Sequence, residues 1–229
     1  MIEDICNILK KTYPHAKIVL RYRTPWELLV AVMLSAQCTD VMVNKVMEKL
    51  FAKYRTLEDY IRADLTAFEK DIKSTGFYRA KAKNVLAAAR LVKDKFNGVV
   101  PKTMEELLTI PGVARKTANV VLGNAYGVFP GIAVDTHVLR LSQRLRLVNL
   151  TKIGGKRDVT FTKRGKTMVD FKKDADPVKI ERELMTVIPK KDWFTTTYLL
   201  IDHGRAVCKA QNPNCTACAL NKHCPVSRV

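Results

Sequence analysis

Threonine and aspartate recur immediately ahead of apolar residues with helical spacing, and this punctuation restricts the chain to a fold built almost wholly of helices. In Thr24-Pro25-Trp26-Glu27 an N-cap threonine, a proline at the first helical position and a capping-box glutamate precede Leu28, Leu29, Val32, Met33 and Ala36. Thr39-Asp40 restarts the pattern with Val43, Val46, Met47, Leu50 and Phe51 on one face, and Thr56-Leu57-Glu58-Asp59 opens a shorter segment. From Ala80 to Phe96 the residues Val85, Ala88, Ala89 and Val92 keep the same spacing until Asn97-Gly98 supplies a stop. Met1 to Lys10 forms an amphipathic helix through Ile2, Ile5 and Leu9. Further on, Asp176-Pro177 caps a helix that Pro189 ends, and a last long helix runs from about Trp193 to Gly204.

One stretch, Asn149 to Lys173, breaks the helical rhythm. Asp158 to Thr162 and Thr167 to Phe171 alternate in polarity about Lys163-Arg-Gly-Lys166, which reads either as two short strands on a glycine turn or as a mobile basic loop.

Charge is the unusual part of the composition. The 229 residues carry 40 Lys plus Arg against 22 Asp plus Glu, a formal +18, and the stretch Thr151 to Ala175 holds eight bases against three acids. Such an excess implies a polyanionic partner. Ordinary apolar and charged proportions exclude a disordered chain, and the length suits one large domain or two small ones. The longest apolar run, Leu28 to Ala36, is about half of what a bilayer span requires, so no membrane role is expected. Acids at Glu3 and Asp4 do not resemble a signal peptide, so the expected location is intracellular, cytoplasmic and nucleoid-associated in a prokaryote.

Cys208, Cys215, Cys218 and Cys224 crowd into seventeen residues with spacings of six, two and five. In a reducing compartment such thiols are ligands rather than disulfides. Soft thiolates suit iron-sulfur or zinc, although a single Cys-x2-Cys is unlike the paired knuckles of a zinc ribbon. Cys6 and Cys38 read as core residues on apolar helix faces.

Pro101 to Gly127 carries the most chemistry. Thr103-Met-Glu-Glu106 starts a short helix, Ile110-Pro-Gly-Val-Ala114 interrupts it, and a second helix begins near Arg115. So tight a helical hairpin turns unpaired backbone N–H groups outward, a ready phosphate site; the plainer alternative is an αα-corner. Lys116 in the first turn and Asp135 ahead of the periodic run Val138, Leu141, Leu145 are its reactive neighbours in sequence. By residue type alone Lys116 is a phosphate-binding charge, Asp135 an N-cap and His137 a structural residue.

The run Ile110 to Leu122, the tetrad Val134-Asp-Thr-His137, the terminal cysteines and Leu34-Ser-Ala-Gln-Cys-Thr-Asp40 together resemble the endonuclease III branch of the helix-hairpin-helix DNA glycosylases. The likeness covers nearly the whole chain except roughly Asn149 to Asp174. It implies an all-α, two-domain fold: a six-helix domain over 19–130, and a discontinuous helical domain from 1–18 with 131–229. The latter would carry a 4Fe-4S cluster loop and, at about 149–174, an insertion that can form a small β-hairpin.

The function implied by the resemblance is a base-excision glycosylase and abasic-site lyase that removes oxidised pyrimidines and works as a monomer. Its partner would be double-stranded DNA with a damaged base or an abasic site. Lys116 would be the Schiff-base nucleophile and Asp135 the carboxylate that stabilises positive charge on the sugar. The base would be flipped out, Lys116 would attack C1′, and β-elimination would cut the strand on the 3′ side. Gln37 and Phe77 would enter the duplex, although Gln37 also reads as a helix-end hydrogen bonder and Phe77 as core. Gly112, Ala114, Arg115 and Thr117 would contact DNA, and the four terminal cysteines would hold the cluster. Two other readings remain open: a monofunctional thymine, uracil or adenine mismatch glycosylase, whose members usually lack the lysine, and a non-catalytic helix-hairpin-helix DNA-binding or redox-sensing protein.

The chain departs from the family pattern in three places. Ala114 replaces the hairpin's second glycine, which costs about 1–2 kcal/mol if that residue needs a positive φ. Lys209-Ala-Gln-Asn-Pro-Asn214 carries one base where relatives carry several. The basic insertion is the candidate to replace those phosphate contacts.

Overall fold

A computed structural model describes residues 2–229, which divide into two compact units: Ile18–Pro130, and the chain up to Lys17 joined with Gly131–Val229. The chain starts in the second unit with α1 (Ile2–Thr12), which buries Ile5, Cys6 and Leu9.

The middle unit is built around α2 (Pro25–Leu34). Thr24 caps it by accepting the Glu27 N–H at 3.1 Å, and Leu28 through Leu34 are all buried, so the helix is apolar on every side and central. Glu27 does not close a capping box on Thr24: its carboxylate accepts instead from the Arg23 backbone N–H at 2.6 Å and from the Arg23 guanidinium. Next come α3 (Asp40–Lys53), α4 (Leu57–Ile61), α5 (Leu65–Ile72) and α6 (Tyr78–Phe96). The Thr39 and Thr56 caps form as the sequence requires, and at Thr56 the box with Asp59 is complete. Asn97 and Gly98 end α6 in left-handed conformations. The short α7 (Met104–Leu107) and α8 (Arg115–Val121) follow; α4 and α5 pack on α6, and α8 packs on α2.

In the second unit α1, α9 (Thr136–Arg144), α10 (Pro177–Val187) and α11 (Trp193–Ala206) share one core that includes Leu9, Val138, Leu141, Ile180, Leu184 and Leu200. The basic stretch folds as an antiparallel hairpin of β1 (Asp158–Lys163) and β2 (Lys166–Lys172). Arg164 and Gly165 make its turn at φ +49° and +75°, the two-residue geometry that matches strand twist. Cys38 departs from expectation. It lies in the loop after α2, half-buried, because that helix stops at Leu34; Cys6 is buried beside Thr196. Among the described residues no helix is long and apolar enough to cross a membrane.

Candidate functional site

In the middle unit the turn between α7 and α8 is closed by the Val113 N–H donating to the Ile110 carbonyl at 3.1 Å. Gly112 supplies the left-handed residue, φ +79°, and a Cβ there would lie 2.9 Å from Asn84 Cβ and 3.0 Å from Met33 Cε. Only glycine meets both demands. Ala114 is different: at φ −99° and ψ 169° it is extended, so alanine in place of the usual second glycine costs no strain. Alanine has no side-chain oxygen with which to cap α8. Arg115, Lys116 and Thr117 form the first turn of that helix and are half-buried, whereas Gly112 and Ala114 are exposed.

Gln37, Phe77 and Gly112 come together on one open pocket, which is also lined by Met33, Lys81 and Asn84. Gln37 (φ +53°) and Phe77 (φ +47°) both hold the left-handed conformation, which is uncommon outside glycine and clusters at functional positions. Phe77 is 67% exposed, so the core alternative for this residue is wrong: its backbone caps α6 and turns the ring outward. Lys81 beneath them is 7% exposed, and its ammonium donates at 2.8 Å to the carbonyls of Leu34 and of Thr75. One buried lysine thus ties down the two turns that present Gln37 and Phe77. Neither Lys81 nor Asn84 belongs to a recognisable motif. The signal that could find Lys81 is a charge on the buried stripe of α6, four residues before Val85 and seven before Ala88.

Asp135 belongs to the second unit, where it is the N-cap of α9. Its Oδ1 accepts the backbone N–H groups of His137 at 2.9 Å and Val138 at 2.8 Å. The carboxylate is half-buried and held in place by the helix it caps. His137 packs with Arg140, 3.3 Å from its guanidinium, and against Gly204, where a Cβ would come within 2.7 Å of the ring.

Cys208, Cys215, Cys218 and Cys224, all free thiols and all half-buried, line one cavity together with Arg144 and His203. Arg144 donates to the Cys208 sulfur at 3.2 Å, and His203 Nε2 lies 3.4 Å from the Cys218 sulfur. Burial, with the neighbouring cysteines adding to it, pushes the Cys224 thiol up to about 11 and also raises that of Cys218. Four thiolates crowded here are costly without a bound cationic centre. Among the described residues no three His, Cys, Asp or Glu side chains converge tightly enough to hold a single ion.

Comparison with known proteins gives this geometry a family. Residues 30–166 match the model of the HhH-GPD superfamily base excision DNA repair proteins. The chain is 48% identical to the endonuclease III of Synechocystis sp. over 97% of its own length and 90% of that protein's. It is 44% identical to the Bacillus subtilis endonuclease III, covering 97% and 91%. It superposes with a TM-score of 0.84, at 43% identity and covering 98% and 94% of the two chains, on an endonuclease III in a non-covalent complex with DNA. The same values hold for an endonuclease III trapped as a covalent intermediate with DNA. A thermostable thymine-DNA glycosylase, at 21% identity and a TM-score of 0.76, shares the fold. The chain belongs to the HhH-GPD superfamily of base excision DNA repair proteins and, within it, to the endonuclease III family.

Proposed function

We propose that this protein is a DNA glycosylase and abasic-site lyase that acts on oxidised pyrimidines in duplex DNA, with Lys116 as nucleophile and Asp135 as its carboxylate partner. The observation that carries the reading is the placement of Lys116 in the first turn of α8, directly after the Gly112 turn, in a chain nearly half identical to endonuclease III. The covalent DNA intermediate trapped with a relative supports covalent catalysis here.

Lys116 must be neutral to react, yet an ordinary lysine is uncharged only about four times in ten thousand at pH 7. The site must therefore favour the neutral amine, and a cationic neighbour and the exclusion of water by bound DNA are the two effects that act in that direction. The Nζ lone pair then bonds to C1′ of the flipped nucleotide while the C1′–N bond to the base breaks, and the base leaves with the bonding electrons. Positive charge that builds on the sugar is stabilised by the Asp135 carboxylate, already fixed by two backbone N–H groups. Loss of one Nζ proton and breakage of the C1′–O4′ bond, with O4′ leaving as the alcohol, open the sugar to an iminium, and loss of a proton from its C2′ then expels the 3′ oxygen and cuts the strand. Gln37 and Phe77, presented side by side on one pocket, have the exposure needed to fill the gap left by the nucleotide.

The four terminal cysteines fit a 4Fe-4S cluster better than a lone metal ion. The donor set is all thiol, the four share one cavity, and their spacing holds a single Cys-x2-Cys rather than the paired knuckles of a zinc ribbon. Cys208, Cys215, Cys218 and Cys224 would hold the group, whose contribution is to fix this loop, since neither glycosidic cleavage nor β-elimination consumes an electron.

The experiment is borohydride reduction during incubation with abasic-site duplex. Wild type is expected to form a covalent complex that Lys116→Gln does not form, and to release thymine glycol in preference to uracil. Full trapping by Lys116→Gln would refute the assignment.

A further inference from the structure

We infer that the hairpin β1–β2 is an accessory arm for the DNA backbone, with Arg164 and Lys166 at its tip as the phosphate-binding residues. The inference rests on the reading that this chain binds duplex DNA.

The bases of this segment divide by what they do. One set fastens the hairpin: the Lys163 ammonium donates to the carbonyl of Val229 at 2.8 Å, that of Lys172 to the carbonyl of Gly155 at 3.2 Å, and Arg157 pairs with Asp174 at 3.4 Å. The strands are fastened as well. Gln143 accepts the Lys172 N–H at 2.7 Å, the Arg146 guanidinium donates to the carbonyls of Val169 and Asp170, and Asp170 is buried against Arg144 and Arg228. The other set does none of this. Among the described residues the side chains of Lys156, Arg164, Lys166 and Lys173 have no acidic or carbonyl partner and are exposed, and of these Arg164 and Lys166 stand together at the tip.

A two-stranded ribbon is marginal by itself, so this much anchoring is needed to hold its tip at a fixed place. β1 spans about 20 Å at the usual rise per residue, and it is fastened at both ends, by Arg157 ahead of its start and by Lys163 beside the tip. Beside the tip the paired Thr162 and Thr167 are exposed hydroxyls, a second group suited to phosphate oxygens. A rigid ribbon ending in two unneutralised cations and two hydroxyls complements a polyanionic backbone. Its ordering cost is met before the partner arrives. Contacts made to phosphate rather than to base edges contribute equally on undamaged and on damaged duplex.

The test measures the affinity of the cluster-bearing protein for undamaged duplex and for duplex with an abasic-site analogue, across a series of salt concentrations. The tip variant is Arg164→Asn with Lys166→Gln; asparagine tolerates the left-handed turn, so the hairpin is kept. Every phosphate that is no longer neutralised lowers the slope of log affinity against log salt by about 0.9, so the variant is expected to lose nearly 2 from the slope on both duplexes. A control, Lys11→Gln with Lys191→Gln, removes equal charge elsewhere in the same unit and is expected to leave the slope as in wild type. An unchanged slope in the tip variant overturns the inference, as does an equal fall in the control. So does a loss confined to binding of anionic phospholipid vesicles, which would make the tip a membrane-binding element. Absence of duplex binding by wild type would refute the reading beneath it, a result distinct from binding that ignores the tip.

Discussion

Arg144 Nη2 lies 2.7 Å from Asp170 Oδ2, and the two side chains are 2% and 1% exposed. The same guanidinium donates to the Cys208 sulfur at 3.2 Å and to the carbonyls of Lys209 at 2.7 Å and Ala210 at 3.0 Å. A carboxylate supplied by the inserted hairpin thus holds the arginine that holds the cysteine loop. Arg228 adds a second cation at 3.2 Å from the same oxygen, so Asp170 balances two positive groups.

Removing that carboxylate leaves Arg144 buried without a counter-ion, a loss of roughly 3–5 kcal/mol. Asp170→Ala is therefore expected to lower stability by about that amount in urea unfolding. It should also release iron faster to a chelator, because Cys208 loses its positioned neighbour. Iron retention equal to wild type would show that the arginine holds the loop unaided.

Asp135 caps a helix and is also the proposed catalytic carboxylate, and two substitutions separate the roles. Asparagine caps as well as aspartate, so Asp135→Asn is expected to unfold within about 0.5 kcal/mol of wild type. Its rate of base release should nevertheless fall on the order of a hundredfold, the usual share of a positioned carboxylate. Asp135→Ala loses the cap too and should cost about 1 kcal/mol of stability. Wild-type turnover by the asparagine variant would leave Asp135 a cap and nothing more.

The hairpin turn makes opposite demands two residues apart. Gly112→Ala combines a left-handed alanine with a Cβ 2.9 Å from Asn84, and is expected to cost about 2–4 kcal/mol together with duplex affinity. Ala114→Gly relieves nothing, because φ there is −99°; it frees the unfolded chain and should cost about 0.4–1 kcal/mol. Denaturant midpoints measure both, and a stabilised Ala114→Gly would show that the alanine is strained after all.

What the sequence makes legible follows from how local each interaction is. The caps at Thr24, Thr39, Thr56, Asp135 and Asp176 join a side chain to a backbone N–H two or three residues on, so they can be read directly from the chain. Glu27 shows where even that fails: Arg23, outside the motif, competes for its carboxylate at 2.7 Å and wins. The cysteine centre is legible as spacing, but its support is not. Arg144 and Asp170 are 26 residues apart, in a helix and a strand whose own patterns are satisfied without the pair. The conformations of Gln37 and Phe77 are equally hidden, since a positive φ at glutamine or phenylalanine is imposed by the surrounding fold rather than by residue type.

Lys81 brings the last of these supports to a test. Its ammonium fills the space between the Leu34 and Thr75 carbonyls, 2.8 Å from each, and burial pulls its pKa below the ordinary lysine value. Lys81→Met removes the desolvated charge but leaves two carbonyls without their donor, each worth about 1–3 kcal/mol when buried. The second effect is the larger, so the variant is expected to lose about 2 kcal/mol of stability at pH 7 and to bind duplex more weakly as the turns carrying Gln37 and Phe77 loosen. The sign with pH follows from the depressed pKa. The unfolded chain holds this proton to higher pH than the folded one, so the contribution of Lys81 to stability grows as pH rises through the folded pKa toward about 10.4. The gap between wild type and Lys81→Met, measured by urea unfolding at pH 7 and pH 10, is expected to widen. A constant or narrowing gap would mean that the buried ammonium is held charged as easily as in water.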